Sequence, residues 1–184
     1  MPKPKRPTAP KQHIAIVGAG IAGITAARTL MQAGHRVTVF EKSRGAGGRM
    51  STRRSEFGGF DHGAQFFTVR DARFETALRA TAAPVEPWSA AVVRVLDTLG
   101  HAMATDENSQ IERWVATPGM SGLVKHWAAP IEAGKQGNGF HVQTLVNRLE
   151  PDALNSLQWQ LRTEGPDGGL QVHGGFDRVL LAMP

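Results

Sequence analysis

The chain has 184 residues, 41% hydrophobic and 20% charged, a globular composition long enough for one substantial core or two small ones. It contains no cysteine, which excludes disulfides, thiolate-held metals and iron–sulfur clusters and leaves redox chemistry to an organic cofactor. The formal charge is +5, but Lys3, Lys5, Arg6 and Lys11 supply four of the 21 basic residues before position 12, so the high pI is largely a property of the tail. No apolar run reaches the roughly 18 residues of a membrane span. No charged-then-apolar leader opens the chain, so a soluble cytoplasmic protein without a membrane partner is expected.

Residues 1–11 hold four prolines and no acid, and read as a disordered, solvated extension. His13 to Val17 is a short β-branched apolar run, which predicts a buried strand. After Gly18-Ala-Gly-Ile-Ala-Gly23, residues 21–33 read as a helix with Ile21, Ile24, Ala27 and Met31 near one face. Gly34 sits where a left-handed residue closes a helix. Arg36 to Phe40 is a second buried strand, closing on Glu41. Ser43 to Gly63 is rich in glycine and arginine with little periodicity, and reads as an extended loop with at most one helical turn. A helix over 71–83 follows, with Asp71 as N-cap and Pro84 past its end. Trp88 to Leu96 reads as a strand, Thr98-Leu-Gly100 as part of a turn, and 120–129 as a helix stopped by Pro130. Further strands are predicted at 140–145, 157–162 and 176–182, separated by Gly137-Asn-Gly139 and Gly165-Pro-Asp-Gly-Gly169. The two ends thus read as pieces of one α/β sheet, and the middle as an inserted α+β segment.

The glycine turn carries the chemistry. Gly18-x-Gly20-x-x-Gly23 stands between a strand and a helix, the context that a dinucleotide-binding turn requires. The first glycine lets the chain leave the strand sharply, the second lets a pyrophosphate approach the backbone, and the third lets helix and strand pack closely. The amides at the helix start, those of Ile21 and Ala22 included, then face the phosphates with a partial positive charge. Glu41 follows Gly20 by about twenty residues, where a carboxylate accepts hydrogen bonds from a ribose hydroxyl and repels a 2′-phosphate, disfavouring NADP. The competing reading, a glycine-rich turn in an ordinary α/β domain, does not account for strand, helix, cap, second strand and acid all agreeing.

The segment after Glu41 sharpens the ligand. Lys42-Ser-Arg-Gly-Ala-Gly-Gly-Arg49 places a second glycine cluster and an arginine just past the ribose position. Gly47 and Gly48 let backbone come close to a ligand, and Arg49 can clamp a phosphate in bidentate fashion. An extended, nearly engulfed FAD uses such a loop more fully than NAD does. A solvated basic loop is the alternative.

VGAGIAGITAARTL, EKSRGAGGRMSTRR and Asp61-His-Gly-Ala-Gln65-Phe-Phe-Thr-Val-Arg-Asp71 together resemble the renalase-like branch of the FAD-dependent amine oxidase superfamily. Trp114-Val-Ala-Thr-Pro-Gly-Met120 and Asp177-Arg-Val-Leu-Leu-Ala-Met-Pro184 fit the same pattern. The resemblance implies a Rossmann-like FAD-binding sheet (12–64 and 136–184) with an inserted substrate-domain segment (65–135), truncated at its C-terminal side relative to the family. It implies FAD contacts at Gly18, Gly20, Ile21, Ala22, Gly23, Glu41, Lys42, Gly48, Arg49, Ala64 and Gln65, with Val146 touching adenine through its backbone. It implies hydride transfer to flavin N5 from a dihydronicotinamide isomer or an amine, with oxygen as acceptor. Gln65 and His62 are the residues expected nearest the reacting ring. Phe66 stands where relatives often carry tyrosine, and the chain has no tyrosine.

Other chemistries find less support. The seven histidines show no close ligand spacing, and Gly119-Met-Ser121-Gly122 falls short of a nucleophile elbow. Trp88, Trp114, Trp127 and Trp159 read as core or sheet-packing aromatics. Arg44, Arg49, Arg53 and Arg54 are explained by cofactor phosphates more simply than by nucleic acid. Two alternatives to a flavin oxidoreductase stay open: a non-catalytic nucleotide-binding remnant or fragment, and an NAD-dependent reductase.

Overall fold

The computed structural model describes residues 10–88, 96–103, 112–134 and 137–184. Most of the predicted tail, and all of the predicted strand at 88–96 except its two end residues, lie outside them. The chain divides into two compact units, one made of residues up to Gly48 together with Trp127–Pro184, the other of Arg49–His126.

The first unit is built on four parallel strands. These are β1 (His13–Val17), β2 (Arg36–Phe40), β8 (Gly139–His141) and β12 (Arg178–Leu181), in the order β12-β1-β2-β8. Strands buried on both faces need continuous apolar runs, and β1 and β2 supply them. Helix α1 (Ile21–Gln32) connects β1 to β2 and buries Gly23, Ile24 and Ala27. It closes as the sequence predicts. The Gly34 amide donates to the Met31 carbonyl and the His35 amide to that of Leu30, with Gly34 at φ +89°.

A second sheet in this unit is antiparallel, in the order β11-β10-β9, from β9 (Leu145–Pro151), β10 (Trp159–Glu164) and β11 (Leu170–Phe176). The predicted strand at 140–145 is therefore two elements. Residues up to His141 extend the parallel sheet, and the chain re-enters at Leu145 to start the other. The strands β9 and β11 extend well past the predicted segments because both are largely exposed and lack a clean apolar alternation. Ala15, Val17, Phe40, Leu161 and Phe176 form the core between the sheets, with Val146 and Val179 packed on it. Each large side chain buried there is worth about 1.5–3 kcal/mol.

The second unit holds a hairpin, β3 (Thr52–Ser55) with β4 (Gly58–Asp61), where the sequence predicts a loop. Its strands are almost wholly polar or glycine and exposed, so no hydrophobic period announces them. A small sheet of β5 (Phe67–Thr68), β7 (Arg113–Ala116) and β6 (Val85–Pro87) follows in the order β5-β7-β6. Helix α2 (Ala72–Ala80) starts where predicted, with Asp71 accepting from the Arg73 amide at 2.8 Å.

Helix α3 (Ser121–Glu132) runs through Pro130, which the sequence reads as its stop. Pro130 lies in the last turn, where a missing N–H removes little, and Gly134 at φ +62° ends the segment instead. The start of α3 is capped from the hairpin. Asp61 Oδ1 accepts from the Met120 amide at 3.0 Å, and Thr52 Oγ1 from the Ser121 amide at 3.1 Å. Of the four tryptophans, Trp127 is buried, but Trp88 and Trp159 are 40% and 38% exposed, contrary to a purely core role.

Three histidines sit in the aromatic core of the first unit. His141 stacks on Phe40 at 5.0 Å, His173 meets both rings at 5.0 Å, and His13 lies 4.5 Å from Phe176. Burial lowers the affinity of all three for a proton, and a nearby positive charge adds to this at two of them: Arg36 at His13, and His141 at His173. The unfolded chain therefore binds more protons than the folded one below the ordinary histidine value of about 6.5. Stability is expected to be full above about pH 7 and to fall as pH drops toward 5, followed by urea unfolding at each pH. His141→Phe should flatten that slope; an unchanged profile would remove the cluster as its source.

Candidate functional site

The parallel sheet places the glycine turn at the carboxyl end of β1. There the strand order reverses, with β2 on one side and β12, from the far end of the chain, on the other. Open α/β sheets bind ligands at this position.

The three glycines of the turn have different causes. A Cβ on Gly18 would stand 2.8 Å from the Ala182 carbonyl oxygen, and its φ of +104° suits glycine alone. A Cβ on Gly23 would lie 2.0 Å from the Gly18 carbonyl oxygen, so the helix packs on the turn only without a side chain. Gly20 is different. Its φ is an ordinary −73°, and the nearest atom to a Cβ there is Gly48 Cα at 3.9 Å. Nothing in the protein requires glycine at position 20. A group approaching from outside does, so the cradle fits a pyrophosphate.

The second glycine cluster lies directly on the first. The Gly47 amide donates to the Ala19 carbonyl at 3.0 Å, and a Cβ on Gly48 would come within 3.0 Å of Gly20 Cα. The sequence reads this loop as a ligand contact; in the fold it also braces the turn.

Glu41 is buried, yet charged. Its Oε2 accepts from the Ala19 amide at 2.7 Å and its Oε1 from the Ser43 amide at 2.8 Å. Charge-assisted bonds of this kind offset much of the burial penalty and fix the side chain. Each carboxylate oxygen keeps a further lone pair for a ribose hydroxyl. The Ala19 amide is thereby occupied. Phosphate donors are left to the start of α1, which has no side-chain cap and no acid in its first turn.

Gly18, Gly20, Ile21, Ala22, Gly23, Glu41 and Gly48 are thus gathered at one end of the sheet. Lys42 is exposed beside them. Val146 lies in β9, paired with Thr163 and packed on the core. Arg49, His62, Ala64 and Gln65 belong to the second unit. There the Ala64 amide donates to the Arg49 carbonyl at 2.8 Å, and a Cβ on Gly63 would stand 2.1 Å from the same oxygen. His62 and Gln65 are both exposed. The amide partners of Glu41 and the role of Ala182 have no signal in the sequence, because backbone hydrogen bonding and distant packing leave none. Among the described residues no acidic or histidine cluster can hold a metal, and no helix is long and apolar enough to cross a membrane.

Position 20 separates fold from ligand. Gly20→Ala should fold with wild-type stability, whereas Gly23→Ala should lose several kcal/mol or fail to fold, about the scale of severe backbone clashes. Thermal melts of the two variants test this, and equal destabilisation would contradict the assignment of Gly20 to a ligand.

Residues 16–81 match the model of the NAD(P)-binding Rossmann-like domain. An L-amino-acid oxidase of Siganus canaliculatus is 52% identical over 166 residues, covering 89% of this chain and 28% of that protein. A 4,4'-diapophytoene desaturase (4,4'-diaponeurosporene-forming) of Staphylococcus haemolyticus is 47% identical over 58 residues, 32% of this chain and 12% of that one. Among solved structures, a CLA-producing fatty acid isomerase from P. acnes superposes with a TM-score of 0.67 at 13% identity, over 94% of this chain and 59% of that chain. The chain therefore spans under a third of these curated relatives. Its fold is the Rossmann-like α/β type, with the dinucleotide-binding turn at Gly18–Gly23.

Proposed function

We propose that this chain grips the ADP half of FAD and forms part of an FAD-dependent oxidoreductase. The observation that carries the reading is the open backbone at Gly20, set between the α1 start and the fixed Glu41 carboxylate. Pyrophosphate binds the Ile21 and Ala22 amides, and Glu41 takes the ribose hydroxyls and rejects a 2′-phosphate. The oxidase and desaturase names of the relatives support redox chemistry over simple nucleotide storage.

When bound, FAD supplies a ring that accepts hydride at N5; the protein's part is binding, orientation and exclusion of water. A small reduced molecule, a dihydronicotinamide isomer or an amine, is the substrate, and oxygen the acceptor. The motif resemblance favours the renalase-like branch. Residues 12–64 and 136–184 serve the cofactor and 65–135 the substrate. Lys42, Gly48, Arg49, Ala64 and Val146 complete the cofactor contacts, and Gln65 and His62 are the catalytic positions.

The purified chain should carry a flavin absorption spectrum or acquire one with FAD, and ADP should compete. Gly20→Ala and Glu41→Ala should each weaken FAD by tenfold or more, about 1.4 kcal/mol. A colourless protein that binds NADH tightly and not FAD overturns the reading. Gln65→Ala should slow substrate-dependent flavin reduction about tenfold or more while leaving ADP affinity unchanged. Unaltered reduction by this variant would remove Gln65 from the chemistry.

A further inference from the structure

Past the carboxyl end of β8 the chain makes an unusual turn. Gln143 adopts φ +49°, one of two non-glycine residues with positive φ among the described residues. Such backbone is strained for glutamine and persists only when its surroundings over-determine it. Here they do. The Gln143 amide donates to the Ser43 carbonyl at 2.8 Å, and the Thr144 amide to the Glu41 carbonyl at 2.9 Å. The Glu41 amide in turn donates to the His141 carbonyl at 2.8 Å. Residues 141–144 are therefore clipped along the Glu41–Ser43 backbone.

The strain holds an exposed side chain. Gln143 is exposed, and its carboxamide makes no hydrogen bond to another described residue. A glycine would satisfy this backbone without strain. Glutamine adds only its side chain, so the reason for it is sought outside the protein.

Its place in the fold names the ligand group. The sheet order runs β1, β2, β8, so the carboxyl ends present the phosphate turn, then Glu41, then the segment holding Gln143. A nucleotide laid along these ends puts pyrophosphate, ribose and base in the same order. A carboxamide offers one donor face and one acceptor, which match the ring-nitrogen acceptor and the amino donor of adenine. Guanine presents a carbonyl where adenine has its amino group, which leaves the carboxamide oxygen unmatched.

We infer that Gln143 is a specificity residue that reads the edge of the adenine base. The inference rests on the proposed ADP-binding role of the turn and adds base selection to it. The test is titration calorimetry of ADP and GDP with the wild-type chain and with Gln143→Gly, which relieves the strain and so retains the fold. Wild type should prefer ADP. The variant should lose about tenfold in ADP affinity with GDP affinity unchanged. A variant that keeps the wild-type preference, or a wild type that binds ADP and GDP equally, overturns the role of Gln143 and leaves the turn's function standing. A wild type that binds neither nucleotide overturns the nucleotide reading itself.

Discussion

The Glu41 carboxylate is the constraint on which the nucleotide end of the sheet depends. It is 7% exposed and has backbone amides on both oxygens, one from the turn after β1 and one from its own loop. Its own amide and carbonyl are held by the exit of β8. Three segments distant in sequence are therefore pinned to one residue. A buried carboxylate is tolerated because every bond it makes inside the protein is a donor approaching an acceptor. Glutamine has the same shape, but its amino end would set a donor against a donor.

The two glycine loops show why a motif is more than its letters. Gly18 and Gly23 are glycine because other protein atoms stand where a side chain would be. Gly48 is glycine because Gly20 lies against it. Only Gly20 is left open, by a backbone conformation any residue adopts. The fold thus sorts the three letters of one fingerprint into two that build the turn and one that admits a ligand. Only the coordinates separate these causes.

How much was legible follows from where each element draws its stability. The first βαβ unit was readable throughout, since β1 and β2 are continuous apolar runs and Gly34 closes α1 by its own local geometry. Asp71 was legible for the same reason, because an N-cap is a bond between neighbours. The hairpin 52–61 was not. Its polar, exposed strands are held by each other and by the bonds of Thr52 and Asp61 to the start of α3. Pro130 misled because a proline in a last turn disrupts little. At the site, the residue types were legible and their partners were not. Glu41 announces an acid at the end of a strand, but nothing in the sequence says that Ala19 donates to it.

The turn is also less local than its spacing implies. β12 hydrogen-bonds to β1 from the other end of the sequence, and the Ala182 amide donates to the Val17 carbonyl at 2.8 Å. That contact seats the Ala182 carbonyl against Gly18 and the Ala182 methyl against Gly23, whose absent Cβ would lie 3.3 Å away. The Asp177 carboxylate accepts the His13 amide at the opposite end of β1. Both ends of β1 are thus fixed by a strand that the matched segment, 16–81, does not include. A peptide carrying that segment holds every residue of the fingerprint. It lacks the strand that makes Gly18 turn where it does. The motif specifies what the turn can bind, and a long-range pairing specifies its shape.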